Sequence, residues 1–278
     1  MIKKSKGIGV VILILVIIVF LIVYITFIER KLIVAKEYKI EINNRDENKI
    51  KIVQFTDTQL GKYYSIKDFK KAVNKINNLN PDIVIFTGDL IDNFSKYEDR
   101  EKISEILEGI RANIGKYAVY GNHDYGGGAI RNYKTIMENG GFILLRNSTE
   151  KIEYKEKVIN IFGCDDALFG KYDVEETMRG IEENNINILA VHEPDISEKF
   201  KEYPIDLILS GHSHGGQIYL PIIGPLKKNV LSKKYNRGMY NLEGKKNTKL
   251  YVNTGLGNTK IPFRFLTIPE VSAFNISY

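Results

Sequence analysis

Tryptophan is absent, cysteine occurs once and histidine only four times in 278 residues. A lone Cys164 excludes an intrachain disulfide and any cysteine-based zinc cluster. No long basic block or basic-aromatic stripe occurs. The net charge of +6 and pI near 9.0 therefore give no footprint for nucleic acid, and none is expected as a partner. That charge suits an anionic bilayer surface or a phosphorylated substrate. Internal repeats and low-complexity blocks are also missing. Gly126-Gly127-Gly128 lacks the Lys-Ser/Thr of a phosphate-cradling P-loop and reads as a mobile substrate loop.

Charge is missing altogether from residues 7–28, where nearly every position is Ile, Val, Leu or Phe. Such a run makes a helix about 33 Å long, enough to cross roughly 30 Å of hydrocarbon. A cleaved signal peptide wants a shorter apolar core and a small-residue cleavage site. Tyr24-Ile25-Thr26-Phe27-Ile28-Glu29-Arg30 offers no such site. The expectation is an uncleaved transmembrane signal-anchor over 1–30, a juxtamembrane linker over 31–48 and one compact domain over 49–278. Lys3, Lys4 and Lys6 before the run nearly balance Arg30, Lys31 and Lys36 after it, so charge bias hardly sets orientation. A short basic head before a long apolar run favours a domain outside the cytoplasm.

Beyond the anchor, strand and helix patterns alternate. Strands are expected at 38–42, 51–55, 83–86, 117–120, 142–145, 158–162, 186–191, 205–209, 217–220, 249–252 and 273–276. Ser65 with Asp68 gives a weak capping box, and Ile66, Phe69, Val73, Ile76 and Leu79 share one helical face. Further helices are expected around 103–110, 130–138 and 174–183. The strand-rich last third argues against a simple doubly wound sheet. The expected class is α/β, a four-layer sandwich of two mixed β-sheets face to face, flanked by helices.

The four histidines, His123, His192, His212 and His214, each follow an apolar β-like run. Ligand sites of open α/β sheets form where strands end. Asp57, Gln59, Asp89 and Asn122 stand at further strand ends. Two carboxylates, two amides and four imidazoles suit Mn, Fe or Zn better than Ca or Mg. They are too many for one tetrahedral ion, and fit two divalent ions about 3.5–4 Å apart that share a carboxylate.

Asp57-x-Gln59, Gly88-Asp89, Gly121-Asn122-His123-Asp124, His192 and Gly211-His212-x-His214 resemble the ordered motifs of the calcineurin-like metallophosphoesterases. The family pattern is D-x-H, G-D, G-N-H-D/E, a lone H, then G-H-x-H. Gly211 to Gln217, Asn253-Thr254-Gly255-Leu256-Gly257 and Pro262-Phe263-Arg264 are similar to its membrane-associated or exported bacterial branch, the YkuE-like and YaeI-like phosphodiesterases. The resemblance implies that Asp57, Gln59, Asp89 and His214 hold one ion and Asp89, Asn122, His192 and His212 the other. A hydroxide between the ions would attack phosphorus, with His123 assisting as a phosphate-facing acid. Asp124 either orients His123 or is a plain turn residue, and Arg264 either grips phosphate or forms a structural ion pair. Gln59 departs from the family's usual His; it is a weaker ligand or a bystander. The implied function is a membrane-anchored phosphodiesterase acting on a phosphate ester or pyrophosphate. The anchor and the resemblance make a lipid-linked substrate, such as nucleotide-linked diacylglucosamine, one candidate. The alternative is an anchored metal- or phosphate-binding domain crippled by Gln59. Asp165, Asp166 and Glu193 read as loop surface, and Tyr63, Tyr64 and Tyr125 as possible pocket lining.

Overall fold

The computed structural model describes residues 2–42 and 48–278. The first half runs α1 (Ile2–Val23), β1 (Val34–Glu41), β2 (Lys49–Phe55), α2 (Ile66–Asn78), β3 (Ile83–Phe86), α3 (Glu101–Glu108), β4 (Gly115–Ala118), α4 (Tyr133–Asn139) and β5 (Ile143–Leu144). The second half adds β6 (Ser148–Tyr154), β7 (Lys157–Gly163), α5 (Val174–Thr177), β8 (Ile186–Ala190), β9 (Leu207–Ser210), β10 (Tyr219–Leu220), β11 (Gly224–Pro225), β12 (Gly238–Glu243), β13 (Asn247–Val252) and β14 (Glu270–Ser277). Two six-stranded sheets form, ordered β1-β14-β2-β3-β4-β5 and β12-β13-β9-β8-β7-β6, with β10 and β11 as a separate hairpin. Both sheets are mixed: β2 to β5 run parallel, as do β7, β8, β9 and β13.

Period-two alternation sorts the side chains into layers. On β3, Ile83 and Ile85 pack between the sheets with Ile161, Ile188, Leu207 and Leu209. Val84 and Phe86 face outward, where Phe69, Val73 and Ile76 of α2 and Ile103 and Leu107 of α3 cover them. The second sheet turns Phe162, Leu189, Ile208 and Leu250 outward onto Met178, Ile196 and Phe200. Strands buried on both faces need continuous apolar runs, as these have. The four expected layers are present. The outermost one is thinner than expected, because the helix placed at 174–183 ends at Thr177, and Gly180 soon follows with φ of 74°. The Ser65 cap forms: its hydroxyl accepts from Asp68 N, and Asp68 Oδ2 accepts from Ser65 N.

Two half-exposed strands, β6 and β12, lie at opposite edges of the second sheet and were not expected from the sequence. The segment read as a juxtamembrane linker contributes β1, paired in parallel with β14 from Val34 opposite Glu270 to Glu41 opposite Ser277. Residues 43–47 of that linker lie outside the described residues.

Helix α1 carries its apolar side chains outward, with Phe20 66% exposed. The stretch Gly7–Lys31 is long and apolar enough to cross a membrane. Its far end is bonded to the domain. Arg264 N donates to the Ile25 carbonyl at 3.1 Å, Thr267 N to Oε1 of the buried Glu29 at 2.8 Å, and Arg30 to the Tyr63 carbonyl at 3.0 Å.

Arg264 corrects the phosphate-gripping reading. It is fully buried, and its guanidinium donates to the carbonyls of Thr254, Gly255, Gly257 and Thr267. A fork of N–H donors suits a loop that offers several carbonyls, so the side chain holds a loop and meets no solvent-borne ligand. Each stranded buried acceptor costs about 1–3 kcal/mol. Arg264→Met should therefore lower the thermal unfolding midpoint markedly while leaving KM for a small phosphodiester unchanged in the folded fraction. A raised KM at unchanged stability would restore Arg264 to the substrate.

Candidate metal centre

The expected site residues converge where strands of both sheets end. Asp57 follows β2, Asp89 follows β3, Asn122 and His123 follow β4, His192 follows β8, and His212 and His214 follow β9. Backbone strain marks the same place. Asp57, Gln59, Asp89, His212 and His214 all have φ between 46° and 64°. Non-glycine residues seldom adopt that region, and each costs of order 1–3 kcal/mol there. Close approach explains two glycines. A Cβ on Gly121 would collide with Asp89 Oδ1 and His192, and one on Gly211 with Thr56 and Asp57.

The imidazoles are fixed by backbone carbonyls. His192 Nδ1 lies 2.7 Å from Thr87 O, and His212 Nε2 lies 2.8 Å from Val230 O. Each carbonyl accepts an N–H from its imidazole, which turns His192 Nε2 and His212 Nδ1 toward the centre of the cluster. These stand 3.3 Å apart. Asp89 Oδ2 is 3.4 Å from His192 Nε2, and Asn122 Oδ1 is 2.9 Å from His212 Nδ1. Four candidate ligand atoms thus face one another across one small volume. On the other flank, His214 Nε2 lies 3.3 Å from Asp57 Oδ1. Asp57 Oδ1, Gln59 Oε1 and His214 Nδ1 are buried and have no hydrogen-bond partner among the described residues. Ligand atoms of Asp57, Asp89 and His192 fall within 4.8 Å of one another. Buried lone pairs left facing each other call for positive charge. This N/O set fits divalent ions of the Mn, Fe or Zn type.

The electrostatics say the same. Burial pushes the Asp57 carboxyl up to about 6, and the Asp89 charge adds to this. Burial would also raise Asp89, but the charges of His192, His123 and His212 outweigh it and hold Asp89 well below the carboxylate range. Burial would deprotonate His192, yet Asp89 and Asp57 push it far above its usual value. His212 goes the other way, down to about 4, through burial and the neighbouring His192 charge. The cluster retains a proton only where a cation could replace it.

His123 lines the cavity, a quarter of its side chain exposed. Its Nδ1 is 2.6 Å from the Asp92 carbonyl, and its backbone N donates to Asp89 Oδ1 at 2.8 Å. Of the two readings of Asp124, orienting His123 or holding a turn, the contact on the ring is made by the Asp92 carbonyl. Asp124 is buried, and its oxygens accept from the backbone N–H groups of Asp89, Leu90 and Gly121. It ties the Gly88-Asp89 turn to the Gly121-Asn122 turn, and so sets ligand spacing through the backbone.

Three carboxylates read as surface are buried. Asp165 accepts from Tyr125, Arg146 and the Asp166 and Lys171 amides. Asp166 caps the turn at Leu168, Phe169 and Gly170, and Glu193 accepts from Ala167 N. Nothing in their local pattern separates such turn-capping carboxylates from solvated ones. Tyr64 belongs to the core under the first sheet, and the aromatic side chain at the cavity is Phe169. The cavity measures about 330 Å³, and Lys227, Lys228 and Lys260 line it beside Asp89, His123 and His212. These lysines were missed; the Lys227-Lys228 pair was the available signal. A larger cavity, about 720 Å³, lies at the opposite end of the sandwich and is lined by Glu183, Asp206 and Lys246 rather than by imidazoles.

Gln59 is fully buried, and its Nε2 donates to Asp89 Oδ2 at 2.6 Å, leaving Oε1 free. Gln59→Ala should weaken divalent-ion binding by about 10–100-fold in a chelator-competition titration. Unchanged affinity would make Gln59 a bystander.

The family model of the calcineurin-like phosphoesterases matches residues 50–216, more than half of the chain. The metallophosphoesterase YkuE of Bacillus subtilis (strain 168) is 41% identical over 227 residues, covering 81% of this chain and 78% of YkuE. The UDP-2,3-diacylglucosamine pyrophosphatase LpxG of Chlamydia muridarum is 28% identical over 284 residues, covering 82% and 84%. A transmembrane protein with metallophosphoesterase domain from Danio rerio is 29% identical over 253 residues, covering 86% of this chain and 56% of that protein. With its strand-end ligand set and this match, the chain belongs to the calcineurin-like phosphoesterase family and is a metal-dependent phosphoester hydrolase.

Proposed function

We propose that the chain is a membrane-anchored phosphodiesterase or pyrophosphatase with two divalent ions, acting on a lipid-linked substrate. The observation that carries this is the ligand cluster: the side chains of Asp57, Gln59, Asp89, Asn122, His192, His212 and His214 gathered beside a lysine-lined cavity, with Asp57 Oδ1, Gln59 Oε1 and His214 Nδ1 buried and unpartnered among the described residues. Asp57, Gln59, Asp89 and His214 would hold the first ion. Asp89, Asn122, His192 and His212 would hold the second, with Asp89 shared. Two bound Mn, Fe or Zn ions would supply charge against phosphate and acidity for an attacking water.

The protein supplies the rest. Thr87 and Val230 carbonyls hold two imidazoles in fixed tautomers, and Asp124 sets the spacing of the Asp89 and Asn122 turns. Asp92 takes the Nδ1 proton of His123, which leaves Nε2 for the substrate. From that position His123 donates to the leaving oxygen or to a non-bridging oxygen of the phosphate. Lys227, Lys228 and Lys260 offset the charge of an entering diphosphate.

The lipid-linked class has two supports. One is the exposed apolar span Gly7–Lys31 bonded directly to the domain. The other is the likeness to LpxG, a UDP-2,3-diacylglucosamine pyrophosphatase. The signal-anchor spans 1–30, and the catalytic domain, which takes β1 as an edge strand, lies on the outer side of the cell membrane.

The test is an activity screen of the full-length protein in nanodiscs with Mn²⁺, using bis-p-nitrophenyl phosphate and a nucleotide-linked diacylglucosamine. Both should be hydrolysed. Asp89→Asn should abolish turnover, and His123→Ala should lower kcat by about 10²–10⁴-fold. Full activity in Asp89→Asn, or no turnover of either substrate by metal-replete protein, would overturn the reading.

A further inference from the structure

Hairpin β10–β11 exposes apolar side chains that nothing among the described residues covers. Ile222 is fully exposed, at 107%, and Ile223 and Leu226 are 74% and 59% exposed. Ile222 also has φ of 72°, a conformation that costs a β-branched residue dearly. A tip that presents isoleucine to water in a strained turn gains nothing from the packing of its own domain. Isolated exposed apolar residues need no explanation, but a contiguous patch marks a contact.

The position of the hairpin says which contact. Tyr219 N donates to the Phe265 carbonyl and Phe265 N to the Gln217 carbonyl, each at 2.9 Å. The same short segment bonds the end of the apolar helix, through Arg264 N to Ile25 O and Thr267 N to Glu29 Oε1. Residues 264–267 therefore hold the hairpin base on one side and the end of the membrane span on the other. The hairpin is fixed beside the point where the chain leaves the bilayer, with no free linker between them. Lys227 and Lys228 follow the tip directly. An apolar tip with flanking lysines matches an acyl boundary with anionic headgroups above it.

We propose that the 221–226 tip of this hairpin inserts into the bilayer surface as a second, interfacial anchor, its lysines lying at the headgroup phosphates. Docking at two points would prevent the domain from swinging about its helix. The catalytic cavity would then sit at the headgroup plane, because Lys227, Lys228 and Val230, in the irregular segment that follows β11, line the same cavity as Asp89, His123 and His212. A phosphate on a lipid would reach the centre with its acyl chains still in the membrane. This last step rests on the lipid-linked substrate proposed above; the insertion itself does not.

The missing tryptophan makes the test direct, since an introduced indole is the sole one in the chain. Full-length Ile223→Trp is reconstituted into nanodiscs of phosphatidylcholine and phosphatidylglycerol, with or without bromine on the acyl chains. Asn184→Trp serves as control, in an exposed turn at the start of β8, the end of that strand away from His192. Insertion about 5–10 Å deep should quench the Ile223→Trp emission about twofold in brominated discs and leave Asn184→Trp unchanged. Equal emission in both disc types for Ile223→Trp would overturn the proposal. So would an emission shift that tracks protein dimers rather than bromine, which would assign the tip to a second copy of the chain. In a second arm, Ile222→Asp with Ile223→Asp should abolish protection of the hairpin from protease in discs; retained protection would count against insertion. In the same variant, KM should rise about tenfold for the disc-borne substrate only. Quenching without that rise supports insertion and discards the lipid substrate alone.

Discussion

Burial of lone pairs and negative charge around one small volume is the constraint on which the structure depends. Asp57 and Asp89 are taken out of water, and imidazole, amide and carboxylate acceptors are turned toward each other at 2.9–3.4 Å. Folding would ordinarily avoid such a cluster, because unpaired buried polar groups cost free energy and buried charges cost more. Here the surroundings enforce it. Carbonyls of Thr87 and Val230 take the outer protons of two imidazoles, and five ligand-bearing residues are held at positive φ. The strain lies where function needs geometry, and two face-packed sheets supply the stability that offsets it.

The layers explain why the ligands come from such distant parts of the chain. Parallel strands deliver their carboxyl ends to one rim, so residues from Asp57 to His214 meet without touching in sequence. Asp124 couples two of these turns through backbone amides, and Arg264 gathers the carbonyls of the loop behind Asp57. Neither residue faces the cavity, yet both set the spacing of groups that do. The same 264–267 segment joins the rim to the apolar helix, so membrane attachment and metal centre share one scaffold.

Much of this was legible in the sequence, because strong signals agreed. Apolar runs of four or five residues marked the central strands, and a carboxylate, amide or imidazole stood after each. Edge strands were harder: β6 and β12 are half-exposed, and their mixed polarity resembles loop. The roles of Asp165, Asp166 and Glu193 were hidden, and those of Arg264 and Asp124 left between two alternatives, for a different reason. A buried charged side chain satisfied by backbone groups has the same local pattern as a solvated one, since its partners come from remote turns. The Ile222-Ile223 tip was overlooked because apolar residues in a short run suggest core, and only tertiary placement shows this run facing outward.

The claim under all of this is that cations complete the buried acceptor cluster. Anomalous diffraction from crystals grown with Mn²⁺, collected on both sides of the manganese edge, tests it directly. Two peaks about 3.5–4 Å apart, with Asp89 between them, are expected. A single peak remote from Asp89, or none at saturating Mn²⁺, would contradict it.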